Sequence, residues 1–207
     1  MSLSTPIIHV VDDDRSFRTA VMRLLRAAKY EVRSYGSAAE FLDSDSSAAP
    51  GCILLDLQMP KVSGLDLQQS LAQMEERLPI IFLTGHGDIP ASVRAMKAGA
   101  VDFLTKPVRR EALLTAIENA LGVDARGRAA RAVLRELQER YERLTPREHE
   151  VLAHVVSGKL NKQIAFDLGA AERTIKAHRA NIMEKLGVQS VAELARLAQE
   201  LGIQPMR

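Results

Sequence analysis

The sequence predicts an α/β protein: a five-stranded, doubly wound parallel sheet, then a linker helix and a small all-α helix-turn-helix domain. Three observations carry that expectation. Five short apolar runs alternate with five segments of helical periodicity between residues 7 and 121, the pattern of successive strand–helix units. Runs one, three and four are apolar throughout, as strands buried on both faces must be. Beyond residue 122 the strands stop and every apolar repeat has a helical period.

The first run is Ile7–Val11, ending at Asp12, and Phe17, Val21, Leu24, Leu25 and Ala28 then recur at helical spacing. A second strand is expected near Glu31–Tyr35, and Ser37-Ala38-Ala39-Glu40 has capping-box spacing for the next helix. Cys52–Leu55 ends at Asp56, with Leu65, Leu67, Leu71 and Met74 marking the helix after it. Ile80–Leu83 ends at Thr84 and is followed by Val93, Ala95, Met96 and Ala98 at helical spacing. The fifth strand, Val101–Thr105, runs into Lys106-Pro107, and Leu113, Leu114, Ile117 and Leu121 form its helix.

From Ala125 to Arg143 the chain is rich in Arg, Ala, Glu, Gln and Leu, with Ala130, Leu134, Leu137, Tyr141 and Leu144 spaced by fours and threes. That pattern suits an amphipathic linker helix packed on its own domains or a two-heptad dimer seam, and the first is the favoured reading. Thr145-Pro146-Arg147-Glu148 is a strong helix start. Helices are expected up to about Ser157-Gly158, over Asn161–Leu168 and Glu172–Leu186, and from the cap Ser190 to near Gly202. The domain expectation is therefore 4–122, 123–143 and 144–207.

Composition narrows the function classes. Apolar residues are 46% and charged residues 26% of the 207, ordinary globular usage that excludes a disordered chain. The single Cys52 excludes an intrachain disulfide and a multi-cysteine zinc site, and its place in an apolar strand makes it a core residue. No apolar stretch approaches a membrane span. A soluble, cytoplasmic protein is expected. Residues 1–122 hold 13 basic and 15 acidic side chains, residues 123–143 six and four, and residues 144–207 nine and seven. The basic back half hints at nucleic acid without deciding it. His9, His149, His154 and His178 show no metal-ligand spacing.

Asp12 and Asp13, Asp56, Thr84 and Lys106 stand at the C-terminal ends of four strands. In an open parallel sheet those ends line one crevice, where ligands bind. Singly, each residue is ordinary turn or loop chemistry; as an ordered set they are specific. Carboxylates crowded together call for a cation, and their oxygens suit Mg²⁺. A metal and a lysine can then accommodate a phosphoryl group, with Asp56 as its acceptor and Thr84 and Lys106 holding its oxygens.

With those residues in view, 4–122 resembles the receiver domain of two-component response regulators, a flavodoxin-like fold. The resemblance is carried by VVDDD (10–14), LLDLQMPKVSG (54–64), FLTGHGD (82–88) and MKAGAVDFLTKP (96–107). It implies Asp56 as the phosphoacceptor, and Asp12, Asp13, Asp56 and the Gln58 carbonyl as the setting for Mg²⁺ or Mn²⁺. It also implies Thr84 and Lys106 as phosphate-binding groups and Thr84 with Phe103 as the switch pair. Phe103 stands where many receivers carry Tyr, so any switch rotation there is driven by packing. Gln58 and His86 stand where the family tunes phosphoryl lifetime, although the favoured reading of His86 is a plain loop residue. A cis peptide before Pro107 is implied as well.

In the back half, Ile175, Ile182, Met183 and Leu186 would face the core, leaving a polar face that includes Asn181. Residues 144–201 resemble the LuxR-type output domain of the NarL/FixJ class, on LTPREHEVL (144–152), GKLNKQIAFDLG (158–169) and RTIKAHRANIMEKLGVQS (173–190). The match implies Lys162, Arg173, Thr174, Lys176, His178, Arg179 and Lys185 as DNA contacts. Ala170-Ala171 departs from the Ser or Thr usual before the recognition helix, which removes a cap hydroxyl.

The combined expectation is a transcription regulator and not an enzyme. A sensor histidine kinase would phosphorylate it, it would dimerise when active, and it would bind promoter DNA and meet RNA polymerase. Two rivals are a doubly wound enzyme and a constitutive DNA-binding protein. Asp12-Asp13-Asp14-Arg15 in place of a Gly-rich phosphate loop speaks against the first.

Overall fold

The computed structural model describes residues 5–44, 49–73, 78–85 and 89–203. The chain divides into two compact units, Met1–Gly127 and Arg128–Arg207.

In the first unit the order is β1 (Ile7–Val11), α1 (Arg15–Ala27), β2 (Glu31–Tyr35), α2 (Ala38–Leu42), β3 (Gly51–Asp56), α3 (Gly64–Leu71), β4 (Ile80–Thr84), α4 (Ile89–Lys97) and β5 (Asp102–Thr105). The strands pair in parallel in the order β2-β1-β3-β4-β5. The two-residue period of a strand sorts its side chains between the two faces. Ile8, Val10, Cys52, Leu54, Ile81 and Leu83 lie in one core with Val21 and Leu25 of α1. Val11, Ile53, Leu55 and Phe82 lie in the other with Phe41 of α2, Leu67 of α3 and Ala95 of α4. The doubly wound expectation holds.

Local signals explain the helix starts. The Asp14 carboxylate accepts from the Ser16 and Phe17 N–H groups at 2.8 and 3.2 Å, and Ser63 with Asp66 forms a reciprocal box on α3. Ser37 accepts from Glu40 N as expected, but the Glu40 carboxylate reaches back to Gly36 N at 2.6 Å. Met74, expected in the helix after β3, lies outside the described residues.

One boundary differs. Where the sequence suggests a stop near Gly122 and a separate linker helix, α5 is one helix, Arg110–Glu142. Helices end at glycine when it turns left-handed, and Gly122 is absent from the positive-φ residues. The next turn is also tied down, because the buried Asp124 carboxylate accepts the Gly51 N–H at 3.0 Å. That bond offsets the roughly 1 kcal/mol that a mid-helix glycine costs.

The second unit contains α6 (Pro146–Val156), α7 (Asn161–Asp167), α8 (Glu172–Leu186) and α9 (Val191–Glu200). Its core joins Val151, Leu152, Ile164, Ile175, Ile182 and Leu194, with Leu137 and Tyr141 of α5 packed against it. Val133 and Leu134 remain exposed. Among the described residues no helix is long and apolar enough to cross a membrane.

Candidate functional site: an acidic crevice and a basic helix

Sheet order reverses between β1 and β3, so the crevice opens beyond their C-terminal ends. There Asp12, Asp13 and Asp56 each offer a carboxylate oxygen, all within 4.8 Å of one another. Asp12 and Asp56 are buried and Asp13 is exposed. Lys106 joins them across the sheet: its Nζ lies 2.5 Å from Asp12 Oδ2 and 3.1 Å from Asp56 Oδ2. Burial holds the Asp12 carboxyl above its ordinary range, against hydrogen bonds from Lys106 and the Asp14 N–H. For Lys106, burial works against the charge, but the two carboxylates outweigh it and raise its pKa.

Several neighbours complete the pocket. Lys106 N donates to the Thr84 carbonyl at 2.7 Å, and the Lys106–Pro107 peptide is cis. Thr84 is fully buried at the end of β4. Gln58 is exposed, and its N–H lies 3.4 Å from Asp56 Oδ1. Phe103 packs half-buried against the core, its ring centroid 6.3 Å from that of Phe82. His86 lies outside the described residues.

Three features here were not read from the sequence. Phe17 places its ring 4.2 Å under the Lys106 ammonium, and the Arg18 guanidinium donates to the Asp12 carbonyl. Gly64 begins α3 so close to Asp56 that a Cβ would stand 2.3 Å from the Asp56 carbonyl oxygen. Only Gly64 carried a signal, as the last residue of LLDLQMPKVSG; the other two need the packed fold.

The donor set fits a hard divalent cation. Three carboxyl groups set against one ammonium offer more oxygen ligands than that lysine can engage, and such oxygens suit Mg²⁺ or Mn²⁺.

In the second unit, α7 and α8 join through a turn whose Gly169 has φ +60°. Arg173, Thr174, Lys176 and Asn181 are exposed on α8, and Lys162 is exposed on α7. His178 and Arg179 are half-buried. Arg179 Nη1 donates to Asn161 Oδ1 at 2.7 Å. Lys185 is set apart from this group: its Nζ lies 2.6 Å from the carboxylate of the buried Glu148 and 3.4 Å from the Arg143 carbonyl. Ala171 caps α8 without a side-chain hydrogen bond.

An acidic crevice with a lysine, in one chain with a helix-turn-helix, defines a class that comparison with known proteins identifies. Residues 8–118 match the response regulator receiver domain, and residues 142–198 match the luxR family of bacterial regulatory proteins. The chain belongs to the response regulators and is a transcriptional regulator with a LuxR-type DNA-binding domain. It is 45% identical to the response regulator protein TodT of Pseudomonas putida over 97% of this chain and 88% of TodT. It is 40% identical to the transcriptional regulatory protein FixJ of Azorhizobium caulinodans, over 96% and 94%. The solved structure of the response regulator StyR is similar at TM-score 0.80 and 46% identity, covering 95% of this chain and all of that one. Full-length FixJ from B. japonicum gives 0.58 and 36%, covering 97% and 98%.

Proposed function

We propose that Asp56 takes a phosphoryl group from a sensor histidine kinase and that this event governs promoter binding by the second unit. The observation that carries the proposal is the Lys106 ammonium shared between Asp12 and Asp56. An Asp56 oxygen attacks phosphorus, the bond to the donor nitrogen breaks, and the histidine leaves with its electron pair. Lys106 then exchanges a carboxylate contact for a phosphoryl oxygen, and Thr84 supplies a hydroxyl. Asp12, Asp13, Asp56 and the Gln58 carbonyl would hold Mg²⁺ or Mn²⁺, which supplies charge neutralisation at the phosphoryl oxygens. Gln58 and His86 adjust how long the group persists.

The added charge of about one unit favours one of two conformations through Thr84 and Phe103. Residues 4–122 act as the phosphoacceptor domain, 123–143 as the connection and 144–207 as the output domain. In the active form two copies associate, and Ile89, Val93 and Met96, exposed along one side of α4, support an association through that helix. The dimer meets paired half-sites in promoter DNA through Lys162, Arg173, Thr174, Lys176, His178 and Arg179, while Lys185, engaged by Glu148, serves the fold instead. RNA polymerase is the onward partner, and the setting is the cytoplasm. Catalysis is confined to the protein's own phosphorylation and dephosphorylation.

The test uses acetyl phosphate with Mg²⁺. Wild type gains one phosphoryl group by mass, and promoter affinity and oligomer mass rise with it; Asp56→Asn gains none. Labelling of Asp56→Asn to the wild-type extent refutes the acceptor assignment. Promoter affinity that ignores acetyl phosphate favours a constitutive DNA-binding protein.

A further inference from the structure

Asn161 opens α7, and 18 positions later Arg179 lies in the middle of α8. The two helices close on each other through the buried Ile164, Ala165 and Ile175. That packing brings the Asn161 carboxamide to the guanidinium, and Arg179 Nη1 donates to Asn161 Oδ1 at 2.7 Å. Asn161 has no capping duty of its own. The N-cap of α7 is Leu160, and the Leu160 N–H is met by Gln163 Oε1 at 2.8 Å. The carboxamide oxygen therefore serves the arginine and not its own helix.

The pair sits in a groove flanked by Lys162 and Lys176. Those two lysines form no ion pair with another described residue, and with Arg179 they outnumber Glu172, the acidic residue of the lining, so the groove attracts anions. A guanidinium carries five N–H donors in a fixed planar fork. One is spent on Asn161, and the rest keep a defined orientation. An untethered arginine loses considerable rotamer freedom when it docks, whereas a tethered one has lost part of it already.

We propose that Asn161 is a positioning residue for sequence reading: it holds the Arg179 fork in the orientation that a guanine edge requires. A phosphate also pairs with the arginine fork, but it presents equivalent oxygens that can be met from several directions and so tolerates a looser arginine. A bidentate pair with guanine O6 and N7 needs the fork in one fixed plane. The inference rests on the DNA-binding reading above.

The experiment uses the full chain with acetyl phosphate and Mg²⁺, and a duplex enriched from random-sequence DNA by the wild-type protein. A scrambled duplex of the same composition serves as the reference. Asn161→Ala, Arg179→Ala and the double variant are compared by fluorescence anisotropy across a salt series, with melting temperatures recorded. The expected result is a loss of about three- to tenfold on the enriched duplex for Asn161→Ala. Affinity for the scrambled duplex and the salt slope stay unchanged, and the loss disappears when Arg179→Ala is already present. Asn161→Asp keeps an oxygen for Nη1; it lowers affinity for both duplexes by repulsion yet restores the preference between them. Equal losses on both duplexes, equal losses with and without Arg179, or no loss overturn the positioning role. A wild-type protein that enriches no duplex overturns the DNA reading itself.

Discussion

Lys185 separates a contact that holds the fold from one that holds DNA. Its ammonium lies 2.6 Å from Glu148 Oε2; the Glu148 side chain is 3% exposed and that of Lys185 35%. The same carboxylate accepts the Thr145 N–H at 2.8 Å, so it closes the first turn of α6. Lys185→Met keeps the apolar stem and removes the charge, leaving a buried carboxylate without its cation. Breaking a fully buried pair costs about 3–5 kcal/mol, but solvent reaches a third of this lysine. A loss of about 1–3 kcal/mol follows. For a unit of this size each kcal/mol moves the melting temperature by about 4–8 °C, so a drop of at least about 4 °C is expected by circular dichroism. Glu148→Gln in the same chain should recover part of it, because the amide needs no counter-ion. The pH dependence supplies the sign. Burial pushes the Glu148 carboxyl up, but hydrogen bonds from Lys185 and Thr145 outweigh it and hold the pKa below the ordinary 4.5. Stability from this group is therefore present above 4.5 and is lost as pH falls through the lower folded value. The Lys185→Met penalty should shrink over that fall. Unchanged melting at pH 7 with weakened promoter binding would refute the reasoning and return Lys185 to the DNA face.

Three further outcomes follow from groups inside the first unit. His9 is fully buried between Tyr35 and Phe41, and burial, with Arg33 nearby, lowers its pKa from 6.5 to about 4. The unfolded chain thus binds the proton first, and stability falls as pH drops from 6.5 to about 4, by up to about 3 kcal/mol. In urea titrations His9→Phe should flatten that slope, and an unaltered slope counts against His9. Asp124→Ala takes the carboxylate from the buried Gly51 N–H and should cost about 1–3 kcal/mol, with faster hydrogen exchange at Gly51 and around Gly122. Asp124→Asn keeps an acceptor and should lose less; equal losses would show that the hydrogen bond is not what matters. Gly64→Ala forces a Cβ against the Asp56 carbonyl, so the turn carrying the phosphoacceptor must shift. Overpacking of about 1–3 kcal/mol is expected, together with slower uptake from acetyl phosphate, and a wild-type uptake rate would show that the turn yields without moving Asp56.

The crevice was legible in the sequence because a rule of topology carries it. Once Ile7–Val11, Cys52–Leu55 and Ile80–Leu83 are recognised as parallel strands, Asp12, Asp56 and Thr84 must share one end of the sheet. The fifth strand brings Lys106 to the same end, but its ion pairs with Asp12, 94 positions away, and with Asp56 need the packed fold. What stayed hidden is each case in which a partner arrives from a distant part of the chain. No periodicity tells that Asp124 reaches Gly51, 73 positions away, and so the helix through Gly122 was read as two.

The same limit distorts the reading of charge. Residues 144–207 have an excess of only two basic groups, a weak hint of nucleic acid when averaged over the segment. Folding redistributes it. Lys185 is neutralised by Glu148, Lys159 by Asp167 and Arg147 by Glu150, while Lys162, Arg173 and Lys176 form no ion pair with another described residue. These three cations lie on α7 and α8, the two helices of the helix-turn-helix. An anionic duplex meets the local field and not the segment average, and within a Debye length of about 8 Å that field is set by these few side chains. Lys162→Ala or Lys176→Ala should therefore lower the salt slope of promoter binding by about one each. Lys159→Ala, which removes a cation already matched by Asp167, should leave the slope close to wild type.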